Sequence, residues 1–515
     1  MDSQYESKEV KLTVESAAGA DAQAGELVEK SFWLKTRKWI RTIGAEELGI
    51  ERIPEELRTN QRASDLFTIF FSANCNTATL ALGFLGPTLF GLGWWDSFCC
   101  LLFFNLFGAL VPAVVAPWGP KMGLRTMIIP RYSFGWWPAK VLAILNCVNQ
   151  IGWAMVNAIS GASVMYDVGD GKLPLTVCVL IVGLLAVLLG LFGYKVLHFY
   201  DRYSWIVMVI CFIIVAGFGG KHFVNIPMGS GGIEASSVLS FGTAIIGFEV
   251  AWLPVAADYG VYMRSDTKSL TSFSWSYCGW LSSQLFIELL GAAIGTLIAN
   301  SDPVFADASG IGGLIGACFG AYGSGARNFG KFIEVLLGLS CVAVITTNVY
   351  SLGLSVQMVT QKLLVVPRFV WSSIGSVIFL AAAMAGREHL EEVMENFLLI
   401  CAYWIVPFST TFICEHYIWR RGYKYDLNAW NDRTKLPHGI AASIAWVIGT
   451  VLGLLNMSQH WWVGPIAAGI GDSPYGTDIS WILAMFATAI IYIPLRMWEQ
   501  KKYNNFYVTS LPESS

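Results

Sequence analysis

Charge is what this sequence has least of. Asp, Glu, Lys and Arg make up 13% of its 515 residues, against roughly 25% in an ordinary soluble domain. With 55% hydrophobic and 14% aromatic residues beside so few charges, a soluble chain is excluded, and no nucleic-acid partner is expected. Metal-ligand spacing is missing too. None of the eleven cysteines forms a CxxC or Cys/His arrangement, and most lie inside apolar runs (Cys99, Cys100, Cys147, Cys178, Cys211, Cys341, Cys401) as small buried hydrophobes. The six histidines fall in loops or at helix rims without a catalytic or ligating neighbourhood, so nothing supports an enzyme. No ring of like charges marks a channel. The first 30 residues hold no apolar run; no cleavable signal peptide is expected, and the first spanning helix is expected to do the targeting.

What the chain does have is long apolar runs. Hydropathy gives twelve spans, near 66–93, 97–118, 139–165, 173–194, 203–220, 239–262, 271–299, 331–361, 368–386, 393–416, 437–457 and 480–498, and so an all-α integral membrane protein. Residues 1–65 are expected to form a cytosolic N-terminal tail, 66–498 a twelve-helix membrane domain and 499–515 a cytosolic C-terminal tail. The N-tail begins acidic and continues into a stretch with Trp33, Trp39 and Ile40 among basic residues, suited to lying along the membrane surface. Lys8, Lys11 and Lys30 in it are candidate attachment points for ubiquitin-dependent turnover. With both termini in the cytosol, 28 of the 33 Lys and Arg residues fall on the cytosolic side; the others are Lys172, Lys221, Arg327, Lys331 and Arg387. That asymmetry sets the orientation. The tract 121–137, broken by Pro130 and Gly135, is expected to be a cytosolic interfacial loop lining the inner gate.

Span 6 carries the most informative stretch, SFGTAIIGFEVAWLPVAADYGVY at 240–262. Gly247 and Pro254 interrupt it around Trp252. A helix break at membrane depth is tolerated where it lines protein or a wet cavity, so the segment is either a kinked packing helix or the broken helix of a binding site. Span 1 tips the choice toward the second. There SANCNTATLALGFLGP (72–87) is expected to break at Gly83, Gly86 and Pro87, with Ser72 and Thr79 among its polar residues. Two interrupted spans five helices apart are the mark of two inverted five-helix repeats meeting at a midplane site. Span 3 adds Asn149, Trp153 and Asn157 at i, i+4 spacing, a face expected to point inward, because an amide in lipid costs on the order of a few kcal/mol. Interhelical glue is the alternative for either Asn. Span 8 adds Asn348 beside Thr346 and Thr347. Two indoles, Trp153 and Trp252, with two amides, Asn157 and Asn348, suit a flat, hydrogen-bonding, aromatic solute.

Two acids lie inside spans. Glu249 is at i, i+3 from Trp252, on nearly the same face, and Glu288 sits in span 7. Intramembrane carboxyls mark solute or proton paths, so Glu249 is expected either to accept a co-transported proton or to bond a donor-rich edge of the solute. Glu288 is a second proton-carrier candidate. A merely tolerated or paired acid is the alternative for Glu249.

The runs SANCNTATLALGFLGP, VNQIGWAMVN, SVLSFGTAIIGFEVAW followed by AADYGVYM, the Asn of span 8, EHYIWRR at 415–421 and WVG at 462–464 resemble the fungal purine-cytosine permeases of nucleobase:cation symporter family 1. The resemblance covers about residues 30–500. It implies a leucine-transporter-like fold, a 5+5 inverted repeat plus two extra helices, importing cytosine, adenine, guanine or hypoxanthine with protons at the plasma membrane. It puts the stacking tryptophans at Trp153 and Trp252, polar solute contacts at Asn157 and Asn348, and first-helix hydroxyls at Ser72 and Thr79. The sodium-coupled bacterial relative has cation-binding hydroxyls where this chain has Val342 and Ala343, so the resemblance favours a proton over sodium, with no other cofactor. Two departures bear on the solute: Thr347 stands where the cytosine carriers have proline, and Glu249 is an addition. They keep open a carrier of another planar nitrogen heterocycle, such as vitamin B6 or allantoin. A solute-sensing receptor signalling through the N-tail is the reading from another class.

Overall fold

Each apolar run becomes a helix; a side-chain cap in span 1 and a proline in span 6 mark where those two runs bend, and tight glycine contacts set how closely helices pack. The computed structural model describes residues 49–503 apart from 171, 192–193, 365, 460 and 472–475. The tail features placed at Lys8, Lys11, Lys30, Trp33, Trp39 and Ile40, and most of the C-terminal tail, lie outside the described residues. Eight helices are long and apolar enough to cross a membrane, nine when a bent pair is counted as one span. Shorter apolar helices at Leu175–Gly190, Tyr203–Gly219 and Ile440–Leu455 occupy the predicted spans 4, 5 and 11, which completes the twelve. Their outer surfaces are apolar: Val148 is 61% exposed, Val377 70% and Ile490 69%, as a lipid-facing boundary requires.

Span 1 is two helices, 1a (Asp65–Asn74) and 1b (Thr77–Thr88), meeting at 59°. The break lies at Cys75 and Asn76, which corrects the expected hinge at Gly83, Gly86 and Pro87. Asn76 turns the chain with its side chain: Oδ1 accepts from the N–H groups of Ala78 (2.8 Å) and Thr79 (3.0 Å), and Nδ2 donates to the Ala73 carbonyl (2.7 Å). This is an N-cap that lets 1b start afresh. The two glycines serve close packing inside 1b. A Cβ on Gly83 would fall 1.8 Å from the Glu288 carbonyl oxygen, and one on Gly86 2.7 Å from Ser97 Oγ. Pro87 stands at the end of 1b against Gly295.

Span 6 runs as an α-helix over Gly232–Val250 and then as 3-10 turns at Leu253–Val255 and Asp258–Gly260. Pro254 lies in the first of these turns, at the predicted interruption. Gly247 does not break the helix. It lets span 6 touch span 10 (Leu390–Cys414), where a Cβ would fall 2.1 Å from the Leu398 carbonyl oxygen.

Span 3 (Pro138–Val168) packs along span 8 (Ser324–Leu339 and Cys341–Val359), and span 7 (Ser269–Gly295) lies against both halves of span 1. Spans 11 (Ile440–Leu455) and 12 (Ser480–Tyr503) pair with each other against span 10. A buried ionic cluster ties spans 10 and 12 together. Glu415 accepts from Arg420 Nε (3.0 Å), from Arg496 Nη2 (2.9 Å) and Nε (3.0 Å), and from the Tyr492 hydroxyl (2.6 Å).

Two connections add to the packing. The middle of the 121–137 tract packs into the protein, with Leu124, Ile128 and Phe134 at most 1% exposed, while Trp137 at its end is 59% exposed; Asp258 accepts from the Thr126 N–H (2.6 Å) and hydroxyl (3.0 Å). Between spans 7 and 8 an unanticipated helix, Gly310–Gly320, tucks against span 3 through Gly312 and Gly316. Arg327 pairs there with Asp167 (2.6 Å) and Glu334 (3.0 Å).

Candidate solute-binding site

The two breaks face each other across a cavity closed on its other sides by spans 3 and 8. The space between atoms there, open solvent included, is about 460 Å³, and it is lined by Asn74, Asn76, Thr79, Gln150, Trp153, Asn157, Phe248, Trp252, Tyr259, Asn348 and Ser351, among others. A neighbouring cavity of about 500 Å³ shares Trp252, Tyr259 and Asn348 and adds Ser72 and Thr347. The structure therefore brings Trp153, Asn157, Trp252, Asn348 and Thr79 to one place. Ser72 and Thr347 stand in the adjoining space, where the Thr347 hydroxyl donates to its own helix at Ala343 O (3.1 Å).

The indoles are held by other rings. Trp153 meets Phe248 and Phe397 edge-on, with centroids 5.1 and 5.2 Å away. Trp252 sits 6.3 Å from both Phe70 and Trp280. Such edge-to-face and tilted contacts fix ring orientation. The amides have unequal ties. Asn157 Nδ2 donates to the Trp153 carbonyl (2.8 Å), which leaves Oδ1 as its free acceptor; that atom is buried and unpartnered among the described residues. Asn348 Nδ2 is a buried donor in the same condition. A buried polar atom without a partner costs about 1–3 kcal/mol, a cost that a solute edge bearing one donor and one acceptor relieves.

Other residues sit differently from the sequence reading. Asn149 is turned away from the cavity, with Nδ2 3.5 Å from the Ala251 carbonyl and Oδ1 accepting from Cys401 Sγ (3.2 Å). It joins spans 3, 6 and 10, and Gln150 takes its place on the cavity wall. Gln150 is oriented by Asn146, whose Oδ1 it reaches at 3.2 Å and whose Nδ2 donates to Ser355 Oγ (2.8 Å). The Gln150 signal lay in the sequence, one residue off the expected stripe. Asn76 and Tyr259 were also missed. Glu249 does not line the cavity, so the expectation that it bonds the solute is corrected. The helix ends at Val250, and three residues before Trp252 the carboxyl points toward span 2 (Trp94–Gly108), where its Cγ would lie 2.7 Å from a Cβ on Gly108. Glu288 accepts a hydrogen bond from Asn105 of span 2 and likewise stands apart from the cavity.

Residues 52–477 match the family described as "Permease for cytosine/purines, uracil, thiamine, allantoin". The purine-cytosine permease fcyB of Emericella nidulans is 36% identical over 477 residues, covering 92% of each chain. FCY2, a purine-cytosine permease of Saccharomyces cerevisiae, is 33% identical over 481 residues, covering 90% of this chain and 88% of its own. The vitamin B6 transporter TPN1 of the same yeast is 26% identical over 549 residues, covering 96% and 93%. Among solved structures, Mhp1, a nucleobase-cation-symport-1 family transporter in a closed conformation with bromovinylhydantoin bound, has a TM-score of 0.68 at 13% identity and covers 88% of this chain and 96% of its own. The expected leucine-transporter-like fold therefore holds.

Proposed function

The chain belongs to the family of permeases for cytosine/purines, uracil, thiamine and allantoin, and from that premise we propose that it imports nucleobases (cytosine, adenine, guanine and hypoxanthine) together with protons across the plasma membrane, with both termini cytosolic. It is a multi-pass membrane transporter and not an enzyme. The observation that carries the reading is the cavity at the two breaks, where Trp153 and Trp252 stand with a free acceptor on Asn157 and a free donor on Asn348. A nucleobase offers two π-faces to the indoles and an edge with both donors and acceptors to the amides. Broken helices at such a site give alternating access when one bundle rocks against the other. Proton coupling is supported by the hydrocarbon side chains of Val342 and Ala343, since sodium needs several oxygens.

A second reading, a carrier of vitamin B6 or allantoin, draws on one observation. Ser72 and Thr347 place hydroxyls in the space adjoining the cavity, where a ring with polar substituents could reach them. Competition for uptake of radiolabelled cytosine, in cells lacking their own carriers, separates the two. Adenine and hypoxanthine should compete, and uracil, allantoin and pyridoxine should not; competition by pyridoxine or allantoin without adenine overturns the nucleobase assignment. Counterflow separates a carrier from a sensing receptor, because a receptor binds solute without exchanging it.

A further inference from the structure

Behind the solute cavity, spans 2, 6 and 7 enclose a second polar cluster. Asn105, Glu249, Gln284 and Glu288 are all 0% exposed. Glu288 accepts from Asn105 Nδ2. Both oxygens of Glu249, both polar atoms of Gln284, Oε1 of Glu288 and Oδ1 of Asn105 have no partner among the described residues. Glu249 lies against Gly108 and Glu288 against Asn105, one turn apart on span 2, and Glu288 and Gln284 are the polar side chains that bear on Glu249. The Tyr277 hydroxyl, the other titratable group near Glu249, is committed to the Leu106 carbonyl (2.9 Å). Span 10 meets this part of span 6 through the Leu398 backbone, and span 1b meets span 7 at Gly83 and Leu80. No base from these elements faces the two acids among the described residues.

We propose that Glu249 and Glu288 form one proton-binding site, distinct from the solute cavity, whose carboxyls are neutral while spans 2, 6 and 7 are closed and release a proton to water only when that seam opens. The transport consequence rests on the nucleobase reading above. Two carboxylates in a dry, cation-free setting cannot both stay ionised. As neutral acids each gains an O–H donor, which supplies the partners that Gln284 and the facing carboxyl lack. The ligand class is a proton rather than a metal ion, because only two carboxyls meet here, and no group of three or more His, Cys, Asp or Glu side chains that could hold a metal occurs among the described residues. In the cycle a carboxylate takes H⁺ from water on one side of the membrane, and the resulting acid returns H⁺ to water on the other.

Span 7 links this site to the solute. Trp280, Gln284 and Glu288 recur at i, i+4 and i+8 on one face. Trp280 stacks on Phe70 of span 1a at 3.8 Å and reaches Trp252 at 6.3 Å. Gly279 abuts Phe67 of span 1a, where a Cβ would lie 2.7 Å from the carbonyl oxygen, and the Glu288 backbone abuts Gly83 of span 1b. The helix bearing the acid therefore touches both sides of the break, so displacing span 1a bears directly on the seam.

Two measurements test this with Glu249→Gln and Glu288→Gln. Infrared spectra of purified protein in lipid nanodiscs at mildly alkaline pH should show a protonated-carboxyl stretch that weakens in each variant. A wild-type protein without such a band, a band unchanged in both variants, or a band abolished by exchanging choline for sodium overturns the proposal. In vesicles, proton-driven accumulation of radiolabelled adenine should fall at least tenfold more than adenine counterflow, and its pH profile should flatten. Wild-type accumulation and pH profile in both variants overturns it. A wild-type protein that exchanges no adenine contradicts the nucleobase reading instead, and the infrared result then decides the proton site alone.

Discussion

Replacing Asn157 by Ala tests whether that amide reads the edge of the solute. The geometry fixes which atom is at stake: Nδ2 is held by the Trp153 carbonyl at 2.8 Å, and Oδ1 is buried with no partner among the described residues. The partner it can take is therefore a donor, such as the exocyclic amino group of adenine. A neutral hydrogen bond contributes about 0.5–1.5 kcal/mol, or roughly 2- to 13-fold in affinity. Inhibition constants for adenine, and for purine lacking the amino group, are measured against radiolabelled cytosine uptake in wild type and variant. Adenine should weaken by that factor in the variant, while purine changes by less than about twofold, giving a coupling energy of about the bond itself. Equal weakening of both ligands refutes the edge-reading role and makes Asn157 a structural contact. No weakening of either removes it from the site.

Three further outcomes follow from particular contacts. Trp153→Ala should cost about 1–3 kcal/mol of base affinity, the range for stacking on an aromatic side chain, and Trp153→Phe should recover part of it; equal uptake KM in wild type and Trp153→Ala contradicts stacking. Gly83→Ala places a methyl 1.8 Å from the Glu288 carbonyl oxygen and should destabilise by about 1–3 kcal/mol through overpacking, read as a lower Tm of detergent-solubilised protein. A hinge at Gly83 would instead change transport rate at constant Tm. Glu415→Gln removes the charge that faces Arg420 and the fully buried Arg496 and should cost about 3–5 kcal/mol; an unchanged unfolding midpoint counts against the cluster as the tie between spans 10 and 12.

The sequence told most where hydrophobicity alone decides the outcome. All twelve runs became helices because each must pair its backbone internally in lipid, and Pro254 marked the turn in span 6 because it cannot continue a helical ladder. The break in span 1 was misread for the converse reason. No glycine or proline stands at Cys75 and Asn76; the chain turns there because an Asn side chain caps the next helix, and a cap is indistinguishable from any other polar residue in a polar run. The stripe of span 3 was right for Trp153 and Asn157 and wrong for Asn149. Four-residue steps drift around a helix, and by one turn earlier the face belongs to spans 6 and 10. Glu249 misled because sharing a helix side with Trp252 does not make a side chain a cavity wall: the Trp252 N–H still bonds the Glu249 carbonyl (3.2 Å), but the carboxyl packs against Gly108 of span 2. The helix at Gly310–Gly320 was missed because its five glycines read as connection.

The most direct measurement is a density map of the purified protein with adenine bound. A planar ligand between Trp153 and Trp252, within hydrogen-bond reach of Asn157 Oδ1 and Asn348 Nδ2, is the predicted result. Adenine resting elsewhere, with those two amide atoms still unpartnered, would contradict it.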